Sequence, residues 1–273
     1  ILIALGCSVM HSVLRVVNFA HAGVCMAGMF AGLGLLQLCP GGGLALALPG
    51  AMAVAAILGM GIERWVYRPL RTAPAPNLLA ASIGVALLIG YGGRLILGSA
   101  PRIFPMTGPD LRFQPAAGLE ISSAQLTVVG VALLLMVMLK AVVFHTRMGL
   151  AMRAVAQNRN AAQLAGVNPG LVIATIFALG SALAGAAGVL HASLHPAIDP
   201  LGAMIPGLKG IVAAIIGGLG SLRGAIGGGL LLGLLEAAIA ASPAAPYGDG
   251  AVFALLMLVL LFRTTGLFAR RDT

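Results

Sequence analysis

Residues 124–144 read AQLTVVGVALLLMVMLKAVVF, and Lys140 is the one charge among them. As an α-helix this stretch is about 31 Å long, which matches the ~30 Å of hydrocarbon in a bilayer. It runs directly into residues 145–169, HTRMGLAMRAVAQNRNAAQLAGVNP, which hold Arg147, Arg153 and Arg159 and no acid. An apolar run that ends in a basic, acid-free loop reads as a membrane span whose end lies in the cytoplasm.

The rest of the chain repeats this pattern. Of its 273 residues 60% are hydrophobic before the 39 glycines are counted, and only 8% are charged. Soluble domains carry about 25% charge, so a water-facing enzyme is excluded, as are disordered and fibrous chains. Further apolar runs occupy 1–14, 22–39, 44–62, 78–98, 170–192, 207–219, 225–241 and 250–266. The expected fold is an all-α polytopic transmembrane helical bundle with about eight or nine membrane segments, a single domain over 1–273. The chain opens at Ile1, already inside an apolar run. It is therefore read as truncated at its N-terminus, with 1–14 as the end of a span. The run 207–219 makes a helix of only about 20 Å, which leaves open whether it crosses or re-enters.

Charge sets the orientation. The net +9 invites a nucleic-acid reading, but fourteen of the sixteen basic residues are Arg, mostly in short gaps between apolar runs, as the positive-inside rule requires. Arg64, Arg68 and Arg71, the 145–169 loop, and Arg263, Arg270 and Arg271 are placed in the cytoplasm. Alternation then puts 99–123, 193–206 and 242–249 outside, where Asp110, Glu120, Asp199 and Asp249 lie. Cys7, Cys25 and Cys39 show no CxxC spacing and read as packing residues. Glycine pairs such as Gly28/Gly32, Gly224/Gly228 and Gly229/Gly233 read as close helix packing.

Ionisable and polar groups inside apolar runs are the candidates for chemistry, because each is costly in lipid unless paired or hydrated. Asn18 and His21 stand at the start of the second run, Glu236 lies inside 225–241, Lys209 opens the short run, and His191 ends 170–192. Asn18, His21 and Glu236 are candidates for a translocation pathway. The five histidines form no metal-ligand motif, and the glycine-rich stretch 217–224 lacks the Lys-Ser/Thr of a phosphate loop. No cofactor or metal is expected, and any ATP must be bound by another chain. Residues 150–165 are expected to form one short amphipathic helix, stopped by Gly166 and Pro169, that lies on anionic lipid or docks in a partner's groove.

Several ordered motifs resemble a known family. Arg15-Val16-Val17-Asn18-Phe19-Ala20-His21, Glu63 to Arg71 (ERWVYRPLR), Thr146 to Ala154, the glycines from Gly180 to Gly188, Gly217 to Ser221, and Leu232 to Glu236 are together similar to the permease subunits of ABC importers for branched-chain amino acids. These are the LivH/LivM family, and the layout is that of the LivH type. The resemblance implies a multi-pass protein of the bacterial inner membrane that forms a pathway for branched-chain amino acids or a related small polar solute. It implies two ATPase subunits, a second permease of the LivM type and an extracytoplasmic substrate-binding protein as partners. It also implies that 145–169 is a coupling loop. Asn160-Ala161-Ala162-Gln163-Leu164-Ala165-Gly166 fits the spacing of the family's E-A-A-x-x-x-G, with Asn for the acid. Arg153, Arg159, Asn160, Ala161, Ala162 and Gly166 would then meet the ATPase. The rival reading of the composition is a passive channel or secondary carrier; a purely structural scaffold is a third.

Overall fold

The computed structural model describes residues 1–105, 112–116, 119–243, 245–263 and 266–268. Asp110, Arg270 and Arg271, used above for orientation, lie outside the described residues, as do the side chains of Arg112 and Glu120. The helices are α1 (Leu2–Leu14), α2 (Ala20–Leu38), α3 (Gly43–Ile62), α4 (Ala75–Leu97), α5 (Ser123–His145), α6 (Arg147–Gln157), α7 (Arg159–Leu164), α8 (Pro169–Leu194), α9 (Ile205–Gly217), α10 (Leu222–Ala240) and α11 (Gly248–Phe262). A π turn, Glu63–Tyr67, continues α3. Among the described residues, seven helices are long and apolar enough to cross a membrane, and two apolar helices, Leu2–Leu14 and Gly202–Gly217, are shorter. Length alone thus supports seven crossings.

Start signals are local. Ser122 and Gln125 close a reciprocal capping box at the head of α5, which satisfies amide groups that the first turn leaves without helical partners. On what the alternation scheme takes as the outer side, two short antiparallel ribbons decorate the helices. Strands β2 (Arg112–Ala116) and β3 (Leu119–Ser122) pair with each other, while β1 (Arg102–Ile103) pairs with β4 (Ala197–Ile198). The second ribbon joins the segments 99–123 and 193–206, which that scheme puts on one side.

Helix α8 is the centre of the packing, against α1, α2 and α3, and small residues allow the close approach. A side chain at Gly28 would strike the backbone of Gly185, one at Gly188 the Cys25 carbonyl, and one at Gly6 the Gly180 carbonyl. The pair Gly224 and Gly228 likewise seats α10 on Gly217 and the Ala213 carbonyl of α9, whereas a side chain at Gly233 would meet nothing. Close backbone approach supplies the dispersion contacts that hold helices together where lipid removes the hydrophobic drive.

Helix α9 runs beside α11 for the whole of its short length. Near its start Lys209 pairs with Asp249 at the head of α11. At its end Ile216 and Gly217 accept backbone bonds from Leu267 and Phe268, at 2.8 and 3.1 Å, just beyond the foot of α11. A re-entrant hairpin would bring both ends of α9 to one end of α11, so α9 behaves as the lower part of a crossing. Its upper part is a 3-10 turn over Gly202–Met204. The first turn of α9 is level with the first turn of α2, since a side chain at Gly207 would strike Ala22.

Candidate functional site

One structural expectation is corrected at the 145–169 loop. It is not one helix over 150–165 but two, α6 and α7, divided at Asn158. Asn158 is extended, and its side chain accepts from the amides of Asn160 and Ala161, both at 3.0 Å. A side chain that caps a new helix outcompetes continuation of the old one. Asn168 does the same for α8. Gly166, between the two caps, has φ +85°, a left-handed turn that glycine adopts without penalty.

The six residues assigned to the loop fall into two groups. Arg159, Asn160, Ala161 and Gly166 are exposed on or just after α7, and Ala162 is buried beneath them. Arg153 is elsewhere: on α6 it donates to the Val143 carbonyl and lies 5.6 Å over the Phe144 ring. It fastens α6 to the foot of α5 and is half-buried. Gly149 makes that approach possible, because a side chain there would collide with the carbonyls of Val142 and Val143. Sequence reading missed Leu164, which is 91% exposed at the tip of α7.

Beside this surface is a buried polar seam. Asn18, in the break between α1 and α2, accepts from the Tyr67 hydroxyl at 2.9 Å and from the Ala20 amide at 3.0 Å, and its amide group reaches Met10 Sδ at 3.5 Å. The Tyr67 ring packs on Phe177 of α8, with centroids 5.0 Å apart. His21 is wholly enclosed beside the Ile3 backbone, with no well-aligned hydrogen bond to either ring nitrogen, and the buried hydroxyls of Ser8 and Ser181 make none. Four residues before Tyr67, Glu63 is paired with Arg71, and both side chains are largely out of solvent. Burial pulls the Arg71 guanidinium below its ordinary range, the Glu63 carboxylate opposes that, and Arg159 of α7 is near enough to add to the lowering. The seam therefore abuts the loop. The sequence signal for it was the ERWVYRPLR stretch itself, whose Glu and final Arg are eight residues apart.

Glu236 belongs to a third place. It pairs with Lys209, which also contacts Asp249 at 2.7 Å. Asn18 and His21 are thus together near α1, and Glu236 is apart from them, with the first turns of α9 between. Among the described residues, no group of three or more His, Cys, Asp or Glu could hold a metal ion.

An almost wholly helical chain of apolar crossings, with a capped, exposed loop helix and ion pairs within its spans, defines a polytopic membrane transport subunit. Comparison with known proteins sharpens the class. Residues 1–261 match the family described as branched-chain amino acid transport system, permease component. The chain is 34% identical over 285 residues to the high-affinity branched-chain amino acid transport system permease protein LivH of Escherichia coli K12, covering 99% of this chain and 91% of the relative. It is 35% identical over 281 residues to BraD of Pseudomonas aeruginosa, covering 99% and 92%, a protein of the same description. It is 30% identical over 262 residues to a probable LivH of Methanocaldococcus jannaschii, covering 92% and 80%. No solved structure matches the chain. The chain belongs to the family of branched-chain amino acid transport system permease components. It is a multi-pass protein of the bacterial inner membrane, a transport subunit rather than an enzyme, and its family works with separate ATPase and binding-protein subunits.

Proposed function

We propose that this chain is the LivH-type half of the membrane pathway of an ATP-driven importer for branched-chain amino acids or a related small polar solute. It pairs with a second, LivM-type permease, two ATPase subunits and an extracytoplasmic substrate-binding protein. The observation that carries the coupling role is α7: a one-and-a-half-turn helix, capped at both ends, that presents Arg159, Asn160, Ala161 and Leu164 outward in a chain of this family. Small side chains admit a groove wall closely, the exposed Leu164 fills a pocket, and Gly166 turns the backbone away from the contact. Arg153 holds the platform from behind. Closure of the ATPase pair on ATP moves α7 as a rigid body, and the helices that meet the seam follow. In this reading Asn18 and His21 serve the pathway from behind its wall, by holding α1 and α2 on α8, while Glu236 faces it.

The test is reconstitution. Ala161→Arg and Gly166→Asp are made in the full complex, and ATPase co-purification and ATP-coupled uptake are measured. Loss of both readouts, with the permease pair still assembled, is expected. Undiminished coupling in both variants removes the loop assignment. Substrate flux through the purified permease without ATP or partners would instead support a passive carrier.

A further inference from the structure

We propose that Lys209, Glu236 and Asp249 form a binding site within the membrane for a zwitterionic α-amino acid. Lys209 takes the carboxylate, and Glu236 and Asp249 take the ammonium. This rests on the importer reading above and names the place where the pathway would hold its substrate.

The three side chains come from three helices. Lys209 is in the first two turns of α9, Asp249 is the second residue of α11, and Glu236 is four residues from the end of α10. Measured along α10, Glu236 is about 21 Å from Leu222 and about 6 Å short of the far end. Glu236 therefore lies within the span of α10, and Lys209 and Asp249 meet it from the first turns of α9 and α11. Its side chains are not sealed: Lys209 is 21% exposed, Glu236 34% and Asp249 62%. Charges at such depth do not face lipid tails; they face protein or a water-filled space. The open side of this cluster therefore faces protein or water rather than lipid.

The chemistry fits one class of solute. Lys209 is held by both carboxylates, which leaves a formal charge of −1 from one cation and two anions. An incoming ammonium is attracted to that surplus. Once it occupies the acids it frees part of the Lys209 ammonium for the solute's carboxylate, and the ion pairs are exchanged rather than lost. A solute with only one of the two charges completes half of the exchange and leaves a desolvated group unpaired. His191, half-buried on α8 and stacked on His195 at 4.4 Å between centroids, is within electrostatic range of Lys209. The irregular stretch before α9 is the other supporting feature. Interrupted membrane helices are tolerated where they line a cavity, and solute sites form at such breaks.

The experiment uses the assembled transporter in lipid nanodiscs, without binding protein and without ATP. The probe is radiolabelled L-leucine. Competitors are 4-methylpentanoate, which lacks the amine, and 3-methylbutylamine, which lacks the carboxylate. Saturable leucine binding is expected, with each competitor at least tenfold weaker than unlabelled leucine. Glu236→Gln and Lys209→Met should each weaken leucine binding at least tenfold while the complex keeps its size-exclusion profile. The competitor series needs no variant, so misfolding does not cloud it. Absence of leucine binding, equal competition by either analogue, or binding within twofold of the parent in both variants overturns the site. Uptake by the parent complex with binding protein and ATP is measured alongside. If leucine uptake is intact and the binding results fail, the site alone falls; if leucine uptake itself is absent, the substrate reading falls with it.

Discussion

The Tyr67 hydroxyl donates to the Asn18 side-chain oxygen at 2.9 Å, across 49 residues of sequence. The same oxygen accepts the Ala20 amide, so one atom ties the α1–α2 break to the head of α2 and to the foot of α3. Tyr67→Phe removes one donor from an oxygen that keeps another and should cost about 1 kcal/mol. Asn18→Ala leaves two buried donors unpaired and should cost about 2–6 kcal/mol, from roughly 1–3 for each group. Thermal unfolding of the purified chain in detergent checks the order; equal losses would show that the shared oxygen is not what matters.

Glu63 and Arg71 are a buried pair, and removing one partner leaves a charge without water or counter-ion. Either Glu63→Leu or Arg71→Met alone should destabilise by about 3–5 kcal/mol. The double variant Glu63→Leu with Arg71→Met should cost less than the two singles combined, because neither charge is then stranded. A denaturation series over the four forms measures the coupling, and additive losses would count against the pair.

Arg153 differs from its neighbours on the loop in facing inward, to the Val143 carbonyl and the Phe144 ring. Arg153→Lys keeps the charge but not the planar stack, which is worth about 0.5–1 kcal/mol at such a site. Amide hydrogen exchange over 147–157 should quicken in Arg153→Lys and quicken further in Arg153→Ala. Unchanged exchange in both would mean that α6 is held by Gly149 and its apolar face alone.

Gly166 adopts φ +85°, where a side chain costs about 1–2 kcal/mol. Asn tolerates this conformation better than β-branched residues do. ATP-coupled uptake should therefore fall only slightly in Gly166→Asn and strongly in Gly166→Val. Equal activity in the two would show that the turn after α7 is not needed for coupling.

What was legible in the sequence is what depends on near neighbours. The apolar runs, their lengths, the Arg-rich gaps that orient them and the helix-packing glycines are local properties, because a span must satisfy its backbone within itself and topology follows charge in short loops. The resemblance of 160–166 to the family's E-A-A-x-x-x-G motif is what carried the coupling-loop expectation. The split at Asn158 was legible too, as an Asn followed by a helical turn, but the longer amphipathic run obscured it.

The tertiary structure alone decided which polar groups meet. Glu63 found Arg71 through a turn, Tyr67 found Asn18 across two helices, and Lys209 found Glu236 across 27 residues. No periodicity encodes those distances. They follow from how close glycines let particular helices come, Gly28 on Gly185 and Gly228 on Gly217 among them. The sequence by itself determined that each of these charges needed a partner, since lipid provides none. Only the packing of the helices decided who the partner was.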